Sequence, residues 1–227
     1  MADAELLIDE AFAIGQTAEP ITATQYYGAQ MFCLRWLQGR MDELIPLAEV
    51  TVTQHPEVHT WRALLAYLYA ATDQPDKARQ RLVELEAIGW DSITSGGTLI
   101  MAQGLAAEAA VRAGCVDIAE VLLPRIVAHE DHYVHMAFVV TMGPARFFRG
   151  RLLNLLGDAD GAIAQLELAE SADLGRRLPP LLVRDRLALA EMLEKRGHGD
   201  DAERADRLRM QAEAAATEMG MHGIWYL

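Results

Sequence analysis

Five short corners recur along the chain and constrain its fold more than any other feature. They are Gly39-Arg-Met-Asp42-Glu-Leu44, Asp73-Gln-Pro-Asp76-Lys-Ala78, Gly114-Cys-Val-Asp117-Ile-Ala119, Gly157-Asp-Ala-Asp160-Gly-Ala162 and Gly197-His-Gly-Asp200-Asp-Ala202. The shared pattern is G-x-x-D-x-A, with Asp73 replacing Gly once and Leu44 replacing Ala once. Each part has a physical role. Glycine enters the left-handed conformation that ends a helix, and an aspartate three residues on caps or complements the positive N-terminus of the next one. The small residue two positions later lets the second helix lie close to the first.

The aspartates Asp42, Asp76, Asp117, Asp160 and Asp200 are 34, 41, 43 and 40 residues apart. Units of helix, turn and helix at such intervals predict a helical repeat array in which each hairpin buries its apolar stripe against its neighbours. Between the corners, apolar residues keep helical spacing, as in Leu44, Leu47, Ala48 and Val52, whereas strand-like alternation is almost absent. The expected helices are 2–15, 22–38, 41–54, 57–72, 75–88, 97–113, 116–128, 144–156, 159–174, 180–196 and 200–219. The expected fold is therefore all-α: one α-α solenoid domain over residues 1–227, of about five helical hairpins with an incomplete first repeat, only the first interval equalling the tetratricopeptide length of 34.

Composition narrows the function classes. The 227 residues carry a net charge of −13, and residues 1–170 hold most of the excess, with 11 basic against 23 acidic side chains. Nucleic-acid binding draws its affinity from Lys and Arg on phosphates, so this balance argues against it. The longest apolar stretch, Thr98 to Val111, contains Gln103 and Glu108 and is too short to cross a bilayer, and the acidic start MADAELLIDE lacks a secretory pattern. A cytoplasmic protein without membrane partners is expected. The two cysteines, Cys33 and Cys115, suggest no structural disulfide.

The runs GAQMFCLRWLQGRMDELIPLAEV (28–50), WRALLAYLYAATDQPDKARQRLVEL (61–85), GPARFFRGRLLNLLGDADGAIAQLELA (143–169) and RLALAEMLEKRGHGDDAERADRL (186–208), with EMGM at 218–221, resemble the tetratricopeptide-like C-terminal region of large bacterial signalling proteins. In those proteins it follows an AAA-type ATPase module, often with a nucleotidyl cyclase or LuxR-type DNA-binding domain elsewhere. The likeness spans roughly residues 10–221. It implies a non-catalytic sensor or scaffold arm that binds a protein segment or small effector in a concave groove, with no cofactor of its own. No G-x-x-x-x-G-K-[ST] phosphate loop or basic recognition helix occurs in the sequence. The opening LLIDEAFAIGQ reads as the second helix of an incomplete repeat, consistent with a free-standing version, a truncated product or a fragment of a longer regulator.

Several residues invite a chemical reading. His129-Glu-Asp-His132-Tyr133-Val-His135 gathers three imidazoles and two carboxylates, yet the H-E-x-x-H spacing of a zincin helix is missing. The segment is read as a long inter-helix loop: a weak metal candidate through His129, His132 and His135, a contact loop for a partner or ligand through Tyr133, or simply a polar loop. The other enzyme reading adds Cys115 near a helix N-terminus, or the His55/His59 pair, to make a metal-dependent or thiol site. Asp158-Ala-Asp160-Gly161 resembles the start of a calcium loop, but its twelfth position is Ala169 rather than Glu, and the stretch matches the other corners.

Trp61, Tyr67 and Tyr69 on one helix, and Phe147-Phe148 among Arg146, Arg149 and Arg151 on another, either line a groove or form core with arginines reaching to the surface. Arg146 and Arg149 are the preferred anchors for an anionic ligand. The terminal Gly223-Ile-Trp-Tyr-Leu227 is apolar, and either folds back over the last repeat or pairs with another chain in a homodimer.

Overall fold

A computed structural model of the chain describes residues 2–93 and 98–223. Among these residues are eleven α-helices and one β-hairpin. The helices are α1 (Ala2–Ala18), α2 (Pro20–Gln38), α3 (Ile45–Gln54), α4 (His59–Ala71), α5 (Pro75–Ile88), α6 (Thr98–Arg112) and α7 (Val116–Val127). Strands β1 (Tyr133–Met136) and β2 (Val140–Pro144) follow, and then α8 (Ala145–Leu155), α9 (Ala159–Arg176), α10 (Pro179–Arg196) and α11 (Asp201–Met219). The fold is all-α in class, and every expected helix has its counterpart. Residue 97, the expected start of α6, and residues 224–227 of the apolar terminus lie outside the described residues.

The corners work through backbone conformation. Gly39, Asp73, Gly114, Gly157 and Gly197 all have positive φ, between 58° and 89°. At four of them the next amide donates to the carbonyl five residues back at 2.9 Å: Arg40 to Arg35, Gln74 to Tyr69, Cys115 to Ala110, and Asp158 to Leu153. This is the closure that a left-handed residue permits at a helix end. Asp73 reaches the same conformation without being glycine, and aspartate tolerates it better than most residues.

The aspartates act differently from the simplest expectation. Asp76, Asp117 and Asp160 lie in the first turns of α5, α7 and α9, where they complement the helix field without capping. The cap of α9 is Asp158, which accepts from the Gly161 amide at 2.9 Å. That bond accounts for the calcium-like stretch as a helix start.

Ala78, Ala119 and Ala162 are fully buried, but the outer corners depart from the pattern. Leu44 ends a short 3-10 turn, Met41–Leu44, and Ala202 is exposed while Ala205 takes the buried place. In the last corner α11 starts only at Asp201, after the corner aspartate Asp200, so the apolar face resumes later.

Even-numbered helices make an inner row, α4 against α6, α6 against α8 and α8 against α10, while α5, α7, α9 and α11 each pack beside the row. The central α6 is buried on all sides from Met101 to Ala110. Small residues permit the closest approaches. A Cβ on Gly150 of α8 would lie 2.9 Å from Leu166 Cγ and 3.1 Å from the Ala162 carbonyl oxygen of α9. Helix α1 packs on α2 and is tied to it by Glu5 and Arg35 at 2.5 Å. At the other end, the His222 amide donates to the Leu37 carbonyl at 2.9 Å, so the chain returns to α2 after α11.

Segment 129–143, expected as a loop, contains the hairpin. Strands β1 and β2 pair antiparallel with an irregularity between Val134 and His135, and their inward residues Val134, Met136 and Met142 are buried. The Val139 amide donates to the Met136 carbonyl, and the two residues between, Ala137 and Phe138, have φ of 48° and 62°. Two successive left-handed residues make a mirror-image turn, which suits the strand twist but normally calls for Asn-Gly. Here alanine and phenylalanine occupy it.

Candidate functional site

One cleft collects side chains from every even-numbered helix beginning with α2. Phe32, Cys33 and Trp36 come from α2, Tyr67 from α4, Glu108 and Arg112 from α6, Phe147 and Phe148 from α8, and Leu181 and Arg184 from α10. Val140, Thr141 and Met142 of the hairpin close one side. The cleft measures about 490 Å³ counting its open mouth, of which only about 40 Å³ is wide enough for water. That space admits a few water molecules or one small functional group.

Two buried charge networks lie against this cleft. In the first, Arg184 donates to Asp185 Oδ1 at 2.9 and 3.2 Å and to the Met142 carbonyl, while its guanidinium lies 3.5 Å from the centre of the Phe147 ring. Asp173 Oδ2 is 3.9 Å from Arg184, and Asp173 Oδ1 accepts from the Tyr133 hydroxyl at 2.8 Å. Both carboxyls are 0% exposed, and the Oδ2 atom of each has no ordinary donor among the described residues. Two such oxygens are satisfied if the side chains share one proton. Burial pushes both carboxyls up, Asp185 to about 8, against the opposing pull of Arg184. Burial and the bond to Asp173 likewise push Tyr133 up to about 12.

In the second network Glu108 receives Arg151 at 3.3 Å and Arg112 at 3.7 Å, and Arg151 also reaches Glu191 at 3.4 Å. Tyr67 sits between the networks. It is only 5% exposed and lines the cleft, and its hydroxyl has no hydrogen-bond partner among the described residues. Burial pushes this phenol upward, with Arg112, Glu108, Arg184 and Arg151 all close enough to act on it.

The residues singled out in the sequence are distributed around this cleft rather than gathered in it. Tyr67 lines it, whereas Trp61 is a partly buried neighbour of the core and Tyr69 donates to Glu49 at 2.5 Å. Arg146 and Arg149 point back to the histidine-rich segment. Asp131 receives Arg146 at 2.7 Å, and Glu130 pairs with Arg149 and lies 3.6 Å from Arg146. The expected anion anchors and the expected loop site are thus each other's partners, and together they fasten the entry to the hairpin onto α8.

His129 and His132 meet edge to face with ring centres 6.0 Å apart, and His135 stacks on Tyr133 at 6.3 Å. Among the described residues no group of three or more His, Cys, Asp or Glu is placed to hold a metal ion. Cys115 is fully buried, and burial pushes its thiol up, opposite to the activation that a nucleophile needs. His55 lies 3.7 Å from Glu57, and His59 lies 3.3 Å from Arg62, so each has a local neighbour.

Sequence reading passed over Arg184, Asp173 and Asp185. The signal available was charge within an apolar phase: Arg184 and Asp185 follow Leu181, Leu182 and Val183 directly. A charge so placed must find a partner inside the protein.

The hairpin carries a testable strain. A left-handed turn costs an ordinary residue about 1–2 kcal/mol, and Phe138 recovers little by packing because it is 81% exposed. Replacing Ala137-Phe138 by Asn-Gly is expected to raise the unfolding free energy by about 1–2 kcal/mol, measured as a higher urea midpoint at unchanged slope. Unchanged or lower stability would show that the tip is not strained.

Compared with known proteins, the sequence matches no family model, and no curated protein is similar to it.

Proposed function

We propose that the chain is a non-catalytic, effector-binding helical-repeat scaffold: a tetratricopeptide-like superhelix acting as the sensory arm of a bacterial signalling or transcription-regulatory protein in the cytoplasm. One observation carries the reading. A single cleft takes side chains from α2, α4, α6, α8 and α10, so an occupant touches five helices of the array at once. A ligand that favours one arrangement of these helices biases the whole stack toward it, which is what a sensor requires.

The cleft's shape favours a small effector over an extended protein segment. Hairpin residues Val140 to Met142 line the cleft beside the inner helices, and the space that remains for an occupant is small. No helix among the described residues is long and apolar enough to cross a membrane, and the charge of −13 disfavours nucleic acid as the partner.

A thermal-unfolding screen of small metabolites tests the reading, run in parallel on the natural chain and on a Leu181→Trp variant that fills the cleft. A true effector at a hundredfold excess over its Kd stabilises the natural chain by about 2.7 kcal/mol and leaves the variant unmoved. Hits that stabilise both proteins equally would place binding elsewhere and overturn the proposal.

A further inference from the structure

The chemistry of the cleft wall narrows the class of effector, an inference that rests on the reading just given. Four observations combine. First, Tyr67 lines the cleft with an almost fully buried side chain, and its hydroxyl donates to no group among the described residues. An acceptor on a ligand in the cleft is a partner this hydroxyl can take. Second, of the charged groups close enough to act on the Tyr67 phenol, three are arginines, Arg112, Arg184 and Arg151, and one is a carboxylate, Glu108, and all but Arg151 line the cleft. Third, the remaining wall is apolar and largely aromatic, with Phe32, Trp36 and Phe147 among its members. Fourth, the part of the cleft open to water, about 40 Å³, admits a group no larger than a few waters, the size of a carboxylate.

We infer that the cleft binds a small monocarboxylate with an apolar body, its carboxylate accepting from the Tyr67 hydroxyl and its body lying against the aromatic wall. The arginines supply field rather than new fork contacts, because each already faces a carboxylate of the protein: Arg184 faces Asp185, and Arg112 faces Glu108. Tyr67 is therefore the specificity-determining residue. A neutral isostere keeps the apolar contact and loses the charge-assisted bond, and a cation of the same shape meets an opposing field.

The test uses phenylacetate, phenylacetamide and phenethylamine as probes, titrated against the full chain by calorimetry and tryptophan fluorescence. Phenylacetate is expected to saturate and to bind roughly 10–100-fold more tightly than the other two. Tyr67→Phe, which keeps the ring, is expected to erase most of that preference while leaving the urea midpoint near its natural value. Leu181→Trp is expected to abolish binding of every probe.

Tighter binding of the amide than of the acid, still abolished by Leu181→Trp, would overturn the carboxylate assignment and leave the effector cleft standing. Phenylacetate binding that survives Leu181→Trp would overturn both. No binding of phenylacetate at millimolar concentration, or equal binding by the natural chain and Tyr67→Phe, would overturn the inference.

Discussion

Replacing Arg184 by Ala is expected to lower the unfolding free energy by about 3–5 kcal/mol, the largest loss anticipated from a single substitution in this chain. The guanidinium holds together parts of the fold distant in sequence. It donates to Asp185 on its own helix and to the Met142 carbonyl of β2, lies near Asp173 of α9, and covers Phe147 of α8. Its removal leaves two buried carboxyls without their cation and a strand carbonyl without its donor. Lysine is not expected to restore the loss, since an ammonium is a point charge that cannot bridge Asp185 and Met142 while stacking on an aromatic face. Arginine is also what the backbone there fits. Gly143 has φ of 97°, and a Cβ on it would sit 2.4 Å from an Arg184 nitrogen. Urea unfolding measures the loss, and hydrogen exchange at the β2 amides should show the hairpin opening below global unfolding. A loss under about 1 kcal/mol would mean that water or rearranged side chains replace the guanidinium, and Arg184 would no longer be the fastening of the hairpin.

Why this residue was invisible in the sequence, while the corners were plain, is a matter of interaction range. A left-handed residue closing a helix is a local event, set by four or five consecutive residues, so Gly39, Gly114, Gly157 and Gly197 announced themselves, and Asp73 kept its place in the pattern. The helices followed from the same local chemistry. Hairpin residues 133–144 failed the same test because Ala137-Phe138 carries none of the usual turn residues and each strand is too short for alternation to register. Side-chain pairing is non-local. Arg146 and Arg149 had the right chemistry for an anion, but their partners Asp131 and Glu130 lie 15 and 19 residues back, a pairing that depends on the hairpin. Tyr67 was legible as an aromatic at the right helical phase, and only the arrangement of five helices shows that its hydroxyl is left without a partner.

A proton shared between Asp173 and Asp185 would give the second large effect, a stability that falls as pH rises. Asp185 titrates near 8 in the folded protein and near ~3.9 when unfolded, so the folded state holds the proton more tightly. Its favourable contribution is therefore complete below about pH 4 and is lost as pH climbs through about 8, above which the curve is flat. The groups facing the pair set this balance: Arg184 from α10 pulls both carboxyls down, Arg176 from α9 pulls Asp173 down, and the Tyr133 hydroxyl supports the ionised form of Asp173. Burial outweighs them. Asp201, held down to about 2 by Arg196, has the opposite sign, but its contribution fades only as pH falls below about 4. The two effects occupy separate windows. Asp185→Asn places an amide donor where the shared proton stands and cannot ionise, so the variant should match the natural chain near pH 5 and exceed it by on the order of 2–4 kcal/mol at pH 9. Asp185→Ala, which supplies neither donor nor acceptor, should be less stable than Asp185→Asn throughout. Urea midpoints measured across this range decide the point: parallel curves for the natural chain and Asp185→Asn would mean that the two carboxyls hold no common proton, because a group that titrates in neither protein cannot bend one curve and spare the other.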